Sequence, residues 1–239
     1  MSWLDPVRAA LEQRETPAQI FFRDDDAGWG DDRLALLLRP FVEHGVPVDV
    51  AVIPAEVTPA LARLLLSQPE QVRLHQHGYA HVNHEGVGRK YEFGPSRDLE
   101  AQRHDIARGR ALLLQEFGER LDPVFTPPWN RCTATTAAAL HDLGIPVLSR
   151  DHTAPPLYQP NLADVPVTVD WFGKHKGVRW GWGELARQLA GRIARETPVG
   201  VMLHHAVTDD DELSAVAELV SLISGHPGCV TTHLTALAA

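Results

Sequence analysis

Cysteine is nearly absent from this chain of 239 residues: Cys132 and Cys229 are far apart, and neither has a CxxC partner. That spacing excludes a disulfide framework and points to free thiols in a reducing compartment. Basic side chains are the scarcer charge, 22 Lys and Arg against 31 Asp and Glu, for a net charge of −9. Nucleic acid or an anionic membrane is therefore not the expected partner. No run approaches the roughly 20 apolar residues of a membrane span. Residues 1–15 carry charges where a secretory leader would be continuously apolar. A cytoplasmic location follows as the expectation. Repeats, low-complexity tracts and linker-like segments are missing as well, so 1–239 is expected to be a single domain, with a motif-bearing core at about 18–233.

What remains is ordinary in bulk, 44% hydrophobic and 22% charged, which is enough to bury a substantial core. Short apolar segments at 18–22, 48–53, 72–74, 124–125, 146–148, 165–169, 199–203 and 229–232 read as strands. Helical patterns occupy 34–43, 97–117, 133–143, 183–195 and 209–224. Another starts at Thr58-Pro59, where the threonine caps and the proline takes the first helical position. Strands alternating with helices predict a parallel sheet, open or closed into a barrel.

Five polar clusters each follow a predicted strand: Asp24-Asp25-Asp26, the stretch from His75 to His81, Pro127-Pro128-Trp129-Asn130, Asp170-Trp171 and His204-His205. Carboxyl ends of parallel strands share one rim, where ligands bind. Three adjacent carboxylates repel each other unless a cation or hydrogen-bond donors neutralise them. The bland reading of this triplet is a solvated turn. His77 and His81 are four apart, so one helical turn would put both imidazoles on one face, as in other zinc-binding pairs. His75 is a fallback ligand or supporting donor. One carboxylate and two histidines, with positions left for water, is a hydrolytic metal design. A nearby carboxylate can then take a proton, and a late-strand histidine can return one.

In order and spacing these segments resemble the polysaccharide deacetylase superfamily (carbohydrate esterase family 4, the NodB-homology domain). Arg23-Asp24-Asp25-Asp26 resembles its first motif, with Asp25 as base and Asp26 as metal ligand, in a register that Asp24 could displace. His77-Gly78-Tyr79-Ala80-His81 is similar to the second motif, with Gly78 in place of a hydroxyl residue. Thr126-Pro127-Pro128-Trp129 resembles the third. Thr126 stands where the motif has an arginine that salt-links the base, leaving Arg23 or Arg131 to substitute. Asp170-Trp171 echoes the fourth motif. Leu203-His204-His205 is similar to the fifth, which makes His204 the general acid and puts His205 in place of an aspartate.

The resemblance implies a distorted (β/α)7 TIM-like barrel and a metal-dependent deacetylase acting on an N-acetylated sugar or related N-acyl substrate. A divalent ion, Zn²⁺ in the first instance, would be held by Asp26, His77 and His81. A backbone N–H near Pro128 and Trp129 would stabilise the oxyanion. Trp129, Trp171, Trp180 and Trp182 are either sugar-facing rings or core anchors. Arg89-Lys90-Tyr91 is a solvated loop, a lid or an anion contact. Two other functions stay open: hydrolysis of a different C–N bond, as in a cyclic amide or ureide, and carbohydrate binding without turnover.

Overall fold

The computed structural model describes residues 2–175, 177–195 and 198–238. Helix α1 (Asp5–Glu12) leads into strand β1 (Ala18–Ala27), helix α2 (Asp31–His44), β2 (Val48–Val52), α3 (Pro59–Leu66) and β3 (Val72–His77). A long loop then reaches α4 (Leu99–Phe117), β4 (Leu121–Thr126), α5 (Ala134–Asp142) and β5 (Val147–Leu148). Short strands β6 (Ala163–Asp164) and β7 (Val169–Asp170) follow, then a small antiparallel hairpin of β8 (Lys174–His175) and β9 (Val178–Arg179). Helix α6 (Trp182–Arg195), β10 (Val199–Leu203), α7 (Asp210–Ser224) and β11 (Cys229–Thr231) complete the chain. Thr58 caps α3 as its side chain predicts, accepting the Leu61 N–H at 3.1 Å.

The main sheet runs β6-β5-β4-β3-β2-β1-β10-β7, with every pairing parallel. Its two ends are parts of one extended stretch. The Val165 and Val167 N–H groups donate to the Leu148 and Arg150 carbonyls, both at 2.8 Å. Just beyond, the Thr168 N–H donates to the Gly200 carbonyl at 2.8 Å and the Trp171 N–H to Met202 at 2.9 Å. The sheet therefore closes on itself through this stretch, giving the expected distorted seven-strand barrel in a single domain.

Alternation along the strands builds a barrel interior and an outer layer, the latter including Phe125 and Leu148 against Ile106, Ala139 and Leu140 of α4 and α5. Ile20, Phe22, Val48, Val50 and Leu74 face outward and join Leu37, Phe41, Leu65 and Val216 from the helices. Phe21, Val124, Val147, Val165, Val167 and Met202 fill the barrel interior, and Leu234, after β11, joins them. Gly200 makes room for Phe21: a Cβ there would lie 2.2 Å from the Phe21 ring. Burying that ring contributes about 1.5–3 kcal/mol.

Two elements differ from the sequence expectation. Residues 5–12 form a helix because their few apolar side chains, Val7, Ala10 and Leu11, share one buried face despite the surrounding charges. The β8–β9 hairpin has only two residues per strand, too short for periodicity to register.

Candidate active site and metal centre

Strand β1 delivers its three aspartates in three directions. Asp25 follows Phe21 and Arg23 on the inward face, and it is 2% exposed. Arg23 donates to it through Nε (2.8 Å) and Nη2 (2.9 Å) in a bidentate pair. The remaining guanidinium donors reach Ser149 Oγ at 2.8 Å and Asn130 Oδ1 at 2.6 Å. Burial would push the Asp25 carboxyl up, but Arg23, with His77 and His204, holds it below the ordinary value. Arg23 thus stands where the sequence at Thr126 lacks an arginine. Arg131 instead turns to the Lys90 carbonyl at 3.4 Å.

Asp24 faces outward, and His205 holds both of its oxygens, through the backbone N–H at 3.0 Å and Nδ1 at 2.6 Å. His205 Nε2 donates to the Trp29 carbonyl at 2.8 Å. Both ring nitrogens are aimed at acceptors, an arrangement that favours the imidazolium form. Burial lowers its pKa, but the Asp24 charge and hydrogen bond raise it above the usual histidine value. Asp26 breaks the strand alternation with a left-handed φ of 72°. That turn aims its carboxylate at His77 Nε2 (3.0 Å) and His81 Nε2 (3.3 Å).

His77 ends β3, but the segment to His81 is not the helical turn expected. It is a bend opened by Gly78 at φ 55° and closed by His81, also at φ 55°. A Cβ at position 78 would meet Glu92 Oε2 at 2.1 Å and Pro128 Cδ at 2.6 Å. This explains why no hydroxyl residue stands there. The fully buried Glu92 carboxylate accepts the Tyr79 N–H at 3.1 Å and the Ala80 N–H at 2.7 Å, pinning the bend. Neither Glu92 nor its role is visible in the sequence, where it is one acid in a polar loop. Trp29 is equally unmarked: it and Trp129 each pack edge-on against the His81 ring, at 4.6 and 4.5 Å between centroids.

The donor atoms of Asp26, His77 and His81 all lie within 4.8 Å of one another. His77 Nδ1 donates to the Thr126 carbonyl at 3.0 Å, which leaves Nε2 as the ligating nitrogen. Burial lowers the His77 pKa, but Asp26 and Asp25 more than offset it and draw a proton to the ring. A divalent cation satisfies the same two groups, so the donor set fits Zn²⁺ or a similar ion. His75 is no part of this cluster. It is buried beside Thr126, with Nε2 2.9 Å from Oγ1, and burial and Arg23 push its pKa down to about 3.

His204 follows β10, its Nδ1 buried without a hydrogen-bond partner among the described residues. The Phe172 ring meets it edge-on at 5.7 Å. It is close enough to act electrostatically on Asp25, Asp26 and Asp170. Burial raises the Asp170 carboxyl against that influence. Pro128 lies against Gly78, and Trp129 turns through φ 56° toward the rim. Trp171 does not face a ligand. It is 3% exposed in the outer core with Trp3 packed against it and the exposed Trp182 ring beside it, because β7 directs it outward to α6. Trp180 covers Gly173 in the same region.

No protein-family model matches the sequence, and no curated protein matches it significantly. Solved structures do. A candidate polysaccharide deacetylase from Mycobacterium smegmatis superposes with a TM-score of 0.74 at 14% identity, over 95% of this chain and 90% of that one. An acetyl xylan esterase of carbohydrate esterase family 4 from Clostridium thermocellum, with a cobalt ion, gives 0.57 at 14%, over 92% and 89%. A pseudoenzyme of that family from Bacillus anthracis gives 0.60 at 13%, over 95% and 67%. The chain has the fold of the carbohydrate esterase family 4 polysaccharide deacetylases.

Proposed function

We propose that the chain is a metal-dependent hydrolase that removes an acyl group, acetyl foremost, from the nitrogen of a sugar or related small substrate. The convergence of Asp26, His77 and His81 beside the buried Arg23–Asp25 pair carries this reading. Those three side chains would hold the ion, Zn²⁺ in the first instance. When bound, such an ion acidifies water and polarises a carbonyl. Asp25, kept ionised by Arg23, takes the proton of the attacking water. The Trp129 N–H, on the left-handed turn after Pro128, would donate to the developing oxyanion. His204 protonates the departing amine, with Asp170 near it on the rim. Zinc, a cytoplasmic location and a carbohydrate substrate belong to the same proposal.

Catalytic loss is the competing reading, since one fold relative is a pseudoenzyme. Arg23 weighs against it, because it supplies the base with the counter-charge that Thr126 does not. Metal analysis, zinc titration and acetate release from N-acetylglucosamine oligomers test the proposal together. Wild type should bind zinc and release acetate, losing activity to a chelator and regaining it with zinc. Asp26→Ala and His77→Ala should bind zinc far more weakly; unchanged affinity in both would remove the metal assignment.

A further inference from the structure

A cleft of about 250 Å³ opens beside Trp129, Asn130, Asp170 and Met202, against the rim that carries the proposed catalytic groups. It is smaller than the roughly 300–1,000 Å³ of pockets for drug-sized ligands. One ring with a substituent matches its volume. Three arginines line it: Arg89, Arg131 and Arg150. In a chain of net charge −9, this is a local reversal of sign. Among the described residues neither Arg89 nor Arg131 forms an ion pair, and Lys90 lies 5.8 Å over the Trp129 ring next to them. Arg150 is 2% exposed, and its Nε has no hydrogen-bond partner among the described residues, although its Nη2 is paired with Asp164.

Two carboxylates, Asp151 and Asp170, share the cleft and offset part of its positive charge. Asp151 Oδ1 is engaged by the Thr153 N–H and hydroxyl. Asp170 Oδ1 accepts the Phe172 N–H at 2.8 Å. Arg150 is already paired with Asp164, which leaves the Arg89 and Arg131 guanidinium groups to attract a ligand anion. Arginine's planar fork suits carboxylate and phosphate oxygens.

Resting on the hydrolase reading, we propose that the substrate carries an anionic group, a carboxylate or phosphate on a single N-acylated ring, which Arg89, Arg131 and Arg150 receive in this cleft. The charged group anchors the ring, while its acyl nitrogen lies at the Asp26, His77 and His81 centre. A neutral polymer lacks that anchor.

The test separates binding from turnover. Glucuronate, glucose 6-phosphate and glucose carry no acyl group to turn over. Either anion can also coordinate zinc, so calorimetry is run on the zinc-loaded and the zinc-free protein, and the preference common to both reads the cleft. At least one anion should bind about tenfold or more tightly than glucose, because charged hydrogen bonds are among the strong ones. The uronate and phosphate arms identify which anion. Arg89→Ala/Arg131→Ala should erase most of that preference, and neither substitution disturbs a buried pair. N-acetylglucosaminuronate and N-acetylglucosamine 6-phosphate, against N-acetylglucosamine, then give the kcat/KM ratios. Equal binding of charged and neutral sugars, or a preference that survives the double substitution, overturns the inference and leaves the hydrolase reading intact. Selective anion binding with no amide hydrolysis would sustain the cleft and sink the hydrolase.

Discussion

Replacing Arg23 with glutamine leaves Asp25 buried without its bidentate partner. Arg23 and Asp25 are 0% and 2% exposed, so solvent screens little of the loss. Breaking a buried pair from one side costs about 3–5 kcal/mol. At roughly 2–4 °C per kcal/mol for a domain of this size, melting should fall by about 6–20 °C. The loss must also depend on pH. In the wild type, the Asp25 carboxyl is held below its ordinary 3.8. Its stabilisation is present above that value and is lost as pH falls through the folded one. In the variant, burial acts unopposed by Arg23 and raises the same pKa, so protonation favours the folded state. The melting difference between the two proteins should therefore grow from acid toward neutral pH. Activity should follow, with the acid limb of kcat/KM moving up by about one to three pH units. Arg23→Lys, which keeps the charge and loses the fork, should move both less. Thermal melts and pH–rate profiles on the three proteins make the comparison. A melting difference that stays flat with pH, or an acid limb that does not move, would refute the role assigned to Arg23.

Two further outcomes follow from the surroundings of the centre. Glu92→Gln keeps the shape but weakens acceptance of the Tyr79 and Ala80 N–H groups, so zinc affinity should fall about 10–100-fold, as read by competition with a chelator. His205 has its folded pKa raised above 6.5 by Asp24 against the effect of burial. Its stabilisation is present in full below about pH 6.5 and disappears as pH rises through the folded value. Wild-type melting should decline across that alkaline window, and His205→Asn should melt lower with a flatter profile; parallel profiles would count against the ion pair.

Much of the barrel is legible along the chain because its signals are local. Apolar runs mark β2 and β10 nearly to the residue, Thr58-Pro59 starts α3, and Asp209 caps α7. Polar residues at strand ends identify the rim, since all parallel strands point their carboxyl ends the same way. Closure was less visible: β6 and β7 bond to different neighbours along one stretch, and no periodicity encodes which strand lies beside it. The histidine spacing predicted proximity through a helical turn, whereas a glycine-opened bend achieves it.

By itself the sequence determined most of the order of elements and the set of side chains available to ligate a metal. Only the tertiary structure decided which partner each aspartate takes: Arg23 takes Asp25, His205 takes Asp24, and a left-handed turn sends Asp26 to the histidines. It likewise consigned Trp171 to the core and brought Glu92 under the bend. Periodicity is a property of neighbours along the chain. Partners such as Asp24 and His205, 181 residues apart, are chosen by packing across the barrel.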